Sequence, residues 1–166
     1  MKEYKFHEVA GLFPLLEGKP FNELVEDIKK NGLLEPIWLA EEQIVDGRNR
    51  YKACKKAGIE PSFRNWVGNG SLVSFVVSLN LKRRHLTKDQ SACVVVDALP
   101  LYEKEAKKRQ GTRTDIKSNL TGSFAPARDF AAKDFGVSSG YVANAKRLSE
   151  ESHDVFEEVK AGKKNE

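Results

Sequence analysis

The stretch that decides the fold is Ile44–Ala53, which reads IVDGRNRYKA. Its first residues predict a short strand, Asp46-Gly47 predicts a sharp turn, and a helix is expected from about Asn49 to Ala57. Gly58 then ends that helix, since glycine readily adopts the left-handed conformation of a helix C-terminus. The stretch therefore predicts a strand, a turn and a helix in direct succession.

This turn carries the side chains that suit a phosphate group. A helix N-terminus offers unpaired backbone N–H groups and a partial positive charge. Gly47 lets a ligand approach the backbone closely, and Arg48 and Arg50 supply forked donors that match phosphate oxygens. The candidate phosphate-binding residues here are Gly47, Arg48, Asn49 and Arg50. The segment predicts a phosphate site, and a solvated turn whose arginines cover the helix is the alternative.

The flanking sequence predicts a mixed α/β domain around this turn. Apolar residues at helical or alternating spacing define each element, and Gly, Pro and Asn mark the boundaries. The other predicted elements are an edge strand and turn within Phe6–Pro14, a helix over Pro20–Asn31, a hairpin of two strands over Ile37–Leu39 and Gln43–Val45, a strand within Ile59–Val67, and a buried helix over Leu72–Leu81.

A second cluster of polar and basic residues follows at Asn80–Leu86, which reads NLKRRHL. Cations packed this closely repel one another, and an anion or nearby carboxylates would relieve that repulsion. The candidate ligand-binding residues here are Asn80, Arg83, Arg84 and His85. The alternative is a charged surface loop.

Composition restricts the class of protein. The chain has 166 residues with a mean hydropathy of -0.53, which is typical of one soluble domain or two small ones. The sequence has no apolar run of membrane-spanning length and no secretory signal, so a cytoplasmic protein is expected. Cys54 and Cys93 are far apart and the three histidines are scattered, which indicates reduced thiols and no protein-built metal site.

Charge is uneven along the chain. Residues 1–81 carry 11 basic and 11 acidic residues, whereas residues 82–147 carry 14 basic and 7 acidic residues, a net charge of +7. A basic block in the second half favours a polyanionic partner, although solvated helix faces would give the same composition.

The second half is predicted to be helical. Thr87 and Gln90 form a capping box, which starts a connecting helix over residues 87–110 with a kink or break at Pro100. Residues 111–125 are rich in Gly, Thr, Ser and Asn and predict a flexible linker. A helical region with a polar tail is expected over residues 126–166.

Within that region, Arg128–Leu148 fits a helix-turn-helix motif. Ala132 is small where two helices would cross, Gly136 suits the turn, and Val137 and Val142 would fill the space between the helices. The second helix would enter the major groove of DNA, while a packing hairpin is the alternative. The candidate DNA-binding residues are Ser138, Ser139, Tyr141, Asn144, Lys146 and Arg147.

The residues above resemble the ParB partition-protein family, whose superfamily also contains sulfiredoxin. The similarity covers residues 6–86 and lies in Gly32–Ile37, Ile44–Ala53 and Leu79–Leu86. The resemblance implies a ParB/sulfiredoxin-like α/β domain over residues 1–86, followed by an all-α helix-turn-helix domain. It also implies that the two boxes bind a nucleotide, CTP in chromosomal members, through phosphates and Mg²⁺.

Only some positions of the two boxes match the pattern of the family. The matching positions are Gly47, Arg50 and Ala53 in the first box and Asn80, Arg83 and Leu86 in the second. Arg48 and Asn49 stand where chromosomal members usually carry Glu and Arg, and Leu79 stands where they carry Glu. The loss of two carboxylates weakens the expectation of CTP hydrolysis. Arg48 also replaces the cysteine that sulfiredoxin chemistry needs.

These patterns together predict a DNA-binding ParB-like protein in plasmid or mobile-element partition, or in related transcriptional regulation, switched by a nucleotide such as CTP. The expected partners are double-stranded DNA, a partition ATPase and a second copy of the chain in a homodimer, with no membrane. The alternatives are a CTPase-like nucleotide hydrolase, a ParB-like nuclease, and a protein-interaction module that binds neither polyanion.

Overall fold

The structure, a computed structural model, describes residues 2–68, 70–83, 86–111 and 127–162. The chain divides into two compact units, Met1–Gly70 and Ser71–Glu166. The first unit is mixed α/β and the second is helical. The predicted linker over residues 111–125 lies outside the described residues except for Gly111, and the predicted domain boundaries stay predictions.

The first unit contains a four-stranded sheet and two α-helices in its described part. The strands are β1 (Lys5–Phe6), β2 (Ile37–Ala40), β3 (Gln43–Asp46) and β4 (Phe63–Asn65), and the helices are α1 (Gly18–Asn31) and α2 (Arg48–Ala57), with a 3-10 helix at Glu8–Leu12. These bounds confirm the predicted hairpin and both helices, and they place the strand predicted within Ile59–Val67 at β4. The edge strand predicted within Phe6–Pro14 is short and lies at Lys5–Phe6, because Glu8–Leu12 forms a 3-10 helix.

The strand order is β1-β3-β2-β4. Strands β2 and β3 pair antiparallel as the predicted hairpin, and β1 and β4 add in parallel at the two edges. The hairpin turns through Glu41 and Glu42, both with positive φ, although neither is a glycine. Strand β3 ends at Asp46, directly before the turn at Gly47.

Two groups of apolar side chains hold the first unit together. Val25 and Ile28 of α1 pack on Ala53 and Cys54 of α2. Tyr51, also on α2, packs with apolar residues of β2 and β3. Because burial of apolar surface is the main favourable contribution to folding, these contacts fix α2 against both α1 and the sheet.

The second unit contains five α-helices in its described part. They are α3 (Leu72–Arg83), α4 (Lys88–Gly111), α5 (Ala127–Asp134), α6 (Ser139–Glu151) and α7 (His153–Ala161). Helix α4 is central, because Ala92 and Cys93 pack on Ala145 of α6 and on Phe156 of α7. Across all described residues, the helices are too short or too polar to span a membrane.

Helix α4 begins as the sequence predicts. The backbone amide of Gln90 donates to Thr87 Oγ1 at 3.2 Å, and the backbone amide of Thr87 donates to Gln90 Oε1 at 3.0 Å. These two bonds confirm the capping box. Of the predicted kink or break at Pro100, the break is wrong, since α4 continues to Gly111, and the kink stays a prediction. Ala98 and Tyr102 are buried on either side of Pro100, and this packing keeps the segment helical.

Candidate functional site

The turn into α2 is the sharp turn that the sequence predicts, with a glycine in the left-handed conformation. Gly47 has φ +98° and is the N-cap of α2. A Cβ at this position would lie 3.1 Å from Nη2 of Arg50 and 3.3 Å from Cγ1 of Ile37. Glycine is therefore needed for two reasons, its left-handed conformation and the close approach of the Arg50 guanidinium.

The guanidinium of Arg50 lies between two carboxylates. Its Nη2 donates to Oδ2 of Asp46 at 2.8 Å, and its Nη1 donates to Oε2 of Glu35 at 2.9 Å and to the Glu35 carbonyl at 3.2 Å. The side chains of Arg50 and Asp46 are 14% and 7% exposed, whereas that of Glu35 is 62% exposed. Arg50 is thus largely neutralised within the first unit, mainly by a buried partner.

The other two candidate residues of this box also bond to protein. Arg48 donates through Nη2 to the Phe13 carbonyl, and Asn49 accepts through Oδ1 the backbone amide of Leu16 at 3.0 Å. Both bonds fasten the segment after the 3-10 helix to the start of α2. The three polar side chains of the box therefore hold the local fold, and their predicted phosphate contacts stay a prediction.

The second box lies in the other compact unit. Asn80 is buried in α3, and its Nδ2 donates to the Val76 carbonyl at 2.9 Å. The backbone of Arg83 ends α3, while its side chain and the residues Arg84 and His85 lie outside what the structure describes. A joint ligand site for the two boxes stays a prediction.

Helices α5 and α6 and the short turn between them form a helical hairpin, and its identity as a helix-turn-helix motif stays a prediction. Gly136 has φ +63°, and its amide donates to the Lys133 carbonyl at 3.1 Å, while the Val137 amide donates to the Ala132 carbonyl at 3.0 Å. Ser138 is the N-cap of α6, and its Oγ accepts the Tyr141 amide. These bonds link the end of α5 rigidly to the first turn of α6.

The apolar side of this hairpin faces the interior of the second unit. Ala132, Val137 and Val142 are buried, as is Ala145 one turn further along α6. The candidate DNA-binding residues are all exposed, namely Ser138, Ser139, Tyr141, Asn144, Lys146 and Arg147. Tyr141 does not turn into the core, because 40% of its surface is exposed.

Charge on α6 changes along its length. From Ser139 to Arg147 the helix carries no acidic residue, and its only charges are those of Lys146 and Arg147. Glu150 and Glu151 follow in its last turn. Arg147 lies 3.9 Å from Glu151, and both side chains are about seven-tenths exposed, so this pair is weak. The N-terminal two-thirds of α6 is therefore a neutral-to-basic polar surface.

Sequence reasoning missed the acidic partners of the site. The sequence predicts Asp46 only as a turn residue and predicts no role for Glu35, although both bind Arg50. The spacing of Asp46 and Arg50 at i and i+4 is a sequence signal from which this ion pair could have been predicted.

Among the described residues, no group of three or more His, Cys, Asp or Glu side chains is placed to hold a metal ion.

Comparison with known proteins identifies a similar solved structure but no matching family. No protein-family model matches the chain, and no curated protein matches it. One similar solved structure is the C-terminally truncated chromosome-partitioning protein ParB from Caulobacter crescentus, complexed with CTP-gamma-S. The identity is 21%, the match covers 90% of this chain and 76% of that chain, and the TM-score is 0.39. A TM-score at this level does not establish a shared family.

Proposed function

We propose that this chain binds double-stranded DNA through the α5–α6 hairpin, with α6 as the helix that enters the major groove. The observation that carries the proposal is the polar face of α6. Six exposed side chains capable of hydrogen bonding or of contacting phosphate lie between Ser138 and Arg147, and no acidic residue interrupts them. An α-helix fits the major groove, and its N-terminal residues reach the base edges.

The roles of the individual side chains follow from their chemistry. Asn144 carries a donor and an acceptor in one plane, which suits the N6 and N7 atoms of adenine. Tyr141 and Arg147 suit phosphate oxygens, and Ser138 and Ser139 stand at the N-terminus of α6, where the helix favours an anion. Lys146 adds a positive charge beside them.

The proposal for the cellular role rests on the resemblance of the sequence to the ParB partition-protein family. We propose a role in plasmid or mobile-element partition, or in transcriptional regulation linked to it. Binding of CTP or another nucleotide with Mg²⁺, a partition ATPase partner and homodimer formation all stay predictions. The hydrolase and nuclease alternatives are tested by incubating the chain with CTP or ATP plus Mg²⁺, and separately with plasmid DNA, and measuring released phosphate or nicks.

The DNA-binding proposal is tested by fluorescence anisotropy with labelled duplexes enriched from a random library, at several salt concentrations. The variant N144A/R147A removes one base-reading and one phosphate-contacting side chain. We expect about tenfold or greater loss of affinity, and a salt slope that falls by about 0.9 for the lost phosphate contact.

The matched control is K30A/N31A, which removes a cation and an amide from the exposed end of α1 in the first unit. This variant should bind the same duplexes as tightly as the unaltered chain. Equal binding by N144A/R147A and the unaltered chain would contradict the proposal.

A further inference from the structure

Two hydroxyl groups from different helices converge on one carboxylate oxygen in the second unit. Ser74 Oγ on α3 donates to Oδ2 of Asp134 on α5, and the phenol of Tyr102 on α4 donates to the same oxygen at 2.7 Å. Tyr102 is only 3% exposed. Asp134 therefore joins α5 to both α3 and α4 through a single atom.

The helix that supplies Ser74 is itself fixed at its start. The Val73 amide donates to Oε1 of Glu105 on α4 at 3.1 Å, and the Ser74 amide donates to Ser71 Oγ at 2.9 Å. Both bonds satisfy N–H groups that a helix N-terminus leaves without intrahelical partners. Ser74 is thus held in place, and the position of Asp134 depends on a fixed donor.

The second donor is also well defined. Burial raises the pKa of the Tyr102 phenol far above its usual value, and the hydrogen bond to Asp134 raises it further. The phenol therefore stays protonated near neutral pH, where it can donate to Asp134.

Asp134 is the last residue of α5 and stands directly before the turn to α6. The amides of Gly136 and Val137 bond back to carbonyls of α5, so the direction of the first turn of α6 follows the end of α5. We propose that Asp134 is a positioning residue for DNA binding, which sets the orientation of α6 by anchoring α5 to Ser74 and Tyr102. This inference rests on the proposed function of the α5–α6 hairpin.

The test compares variants of the full chain at a temperature well below their melting temperatures, so that every variant is fully folded. D134A removes the accepting oxygen, Y102F removes only one hydroxyl, and D134N keeps an accepting oxygen while removing the charge. We expect D134A to weaken duplex binding by about tenfold and Y102F by about threefold. These losses are smaller than the full contribution of a hydrogen bond to a charged group, because only part of it is transmitted to α6. D134N should retain most of the affinity.

The double variant D134A/Y102F adds a readout that general destabilisation would not produce. Because both changes break the same hydrogen bond, the double variant should bind duplex no more weakly than D134A alone. The control D97N removes the ion pair between Asp97 of α4 and Lys160 of α7, which lies in the same unit but does not involve α5. It should lower the melting temperature and leave duplex affinity unchanged.

The possible outcomes separate the two proposals. If the unaltered chain binds duplex, and D134A and Y102F bind as tightly as it does despite lower melting temperatures, the positioning role is refuted and DNA binding stands. If the losses of affinity in D134A and Y102F simply add, the shared anchor is also refuted. If the unaltered chain binds no duplex, the proposed function fails and the positioning role fails with it.

Discussion

Replacing Arg50 with alanine tests whether this arginine holds the first unit together or is kept for a ligand. The change removes the positive charge that faces Asp46, whose side chain is 7% exposed, and it also frees Glu35. Removal of one partner from a buried ion pair costs about 3–5 kcal/mol. The contact with the exposed Glu35 adds about 0–1 kcal/mol. Since Arg50 retains some exposure, we expect a loss of about 3 kcal/mol in the free energy of unfolding of the first unit.

The assay is urea unfolding followed by tryptophan fluorescence. The two tryptophans of the chain, Trp38 and Trp66, both lie in the first unit, and Trp38 is the strand partner of Asp46. Fluorescence therefore reports this unit separately from the helical one. With a slope of about 1–1.5 kcal/mol per molar urea for a unit of this size, the midpoint should fall by about 2–3 M.

The matched control is E35A, which removes only the exposed carboxylate of the group. Its midpoint should move by less than about 1 M, because exposed ion pairs contribute about 1 kcal/mol or less. If R50A shifts the midpoint as little as E35A does, the guanidinium is not a structural element. The interpretation of the box as mainly structural would then be wrong, and the predicted phosphate contact of Arg50 would gain support.

Two further outcomes are expected from the same structure. G47A should destabilise the first unit by about 1–2 kcal/mol, because φ +98° is unfavourable for alanine and the new Cβ would lie too close to the Arg50 guanidinium. A urea midpoint equal to that of the unaltered chain would refute this prediction. Cys93 should resist alkylation by iodoacetamide at pH 8 in the folded chain and react once urea unfolds it, because burial raises the pKa of its thiol from 9.0 to about 11. Because the folded state favours the neutral thiol, the contribution of Cys93 to the free energy of unfolding is complete below about pH 9 and is lost as the pH rises to about 11. Measurable alkylation of Cys93 in the folded protein at pH 8 would contradict this prediction.

Local sequence signals predicted most of the secondary structure. The strand–turn–helix at Ile44–Ala53, the capping box at Thr87 and the turn at Gly136 all depend on neighbouring residues, and the structure contains each of them. Propensity, capping and glycine conformation act within a few residues, which is why one sequence suffices to predict them. The helix does not break at Pro100, because packing on both sides of the proline keeps the segment helical, and a kink there stays a prediction.

The sequence alone determined which residues carry cations and amides, where they stand along each helix, and that the exposed face of α6 has no acidic residue before Glu150. Only the tertiary structure decided what those groups bind. It brings Glu35 and Asp46 to the guanidinium of Arg50, and it joins Ser74 and Tyr102 to Asp134 across 60 and 32 residues of sequence. The reason is physical. The energy of an ion pair or hydrogen bond depends on distances of a few ångströms and on burial, and neither is specified until distant segments pack together.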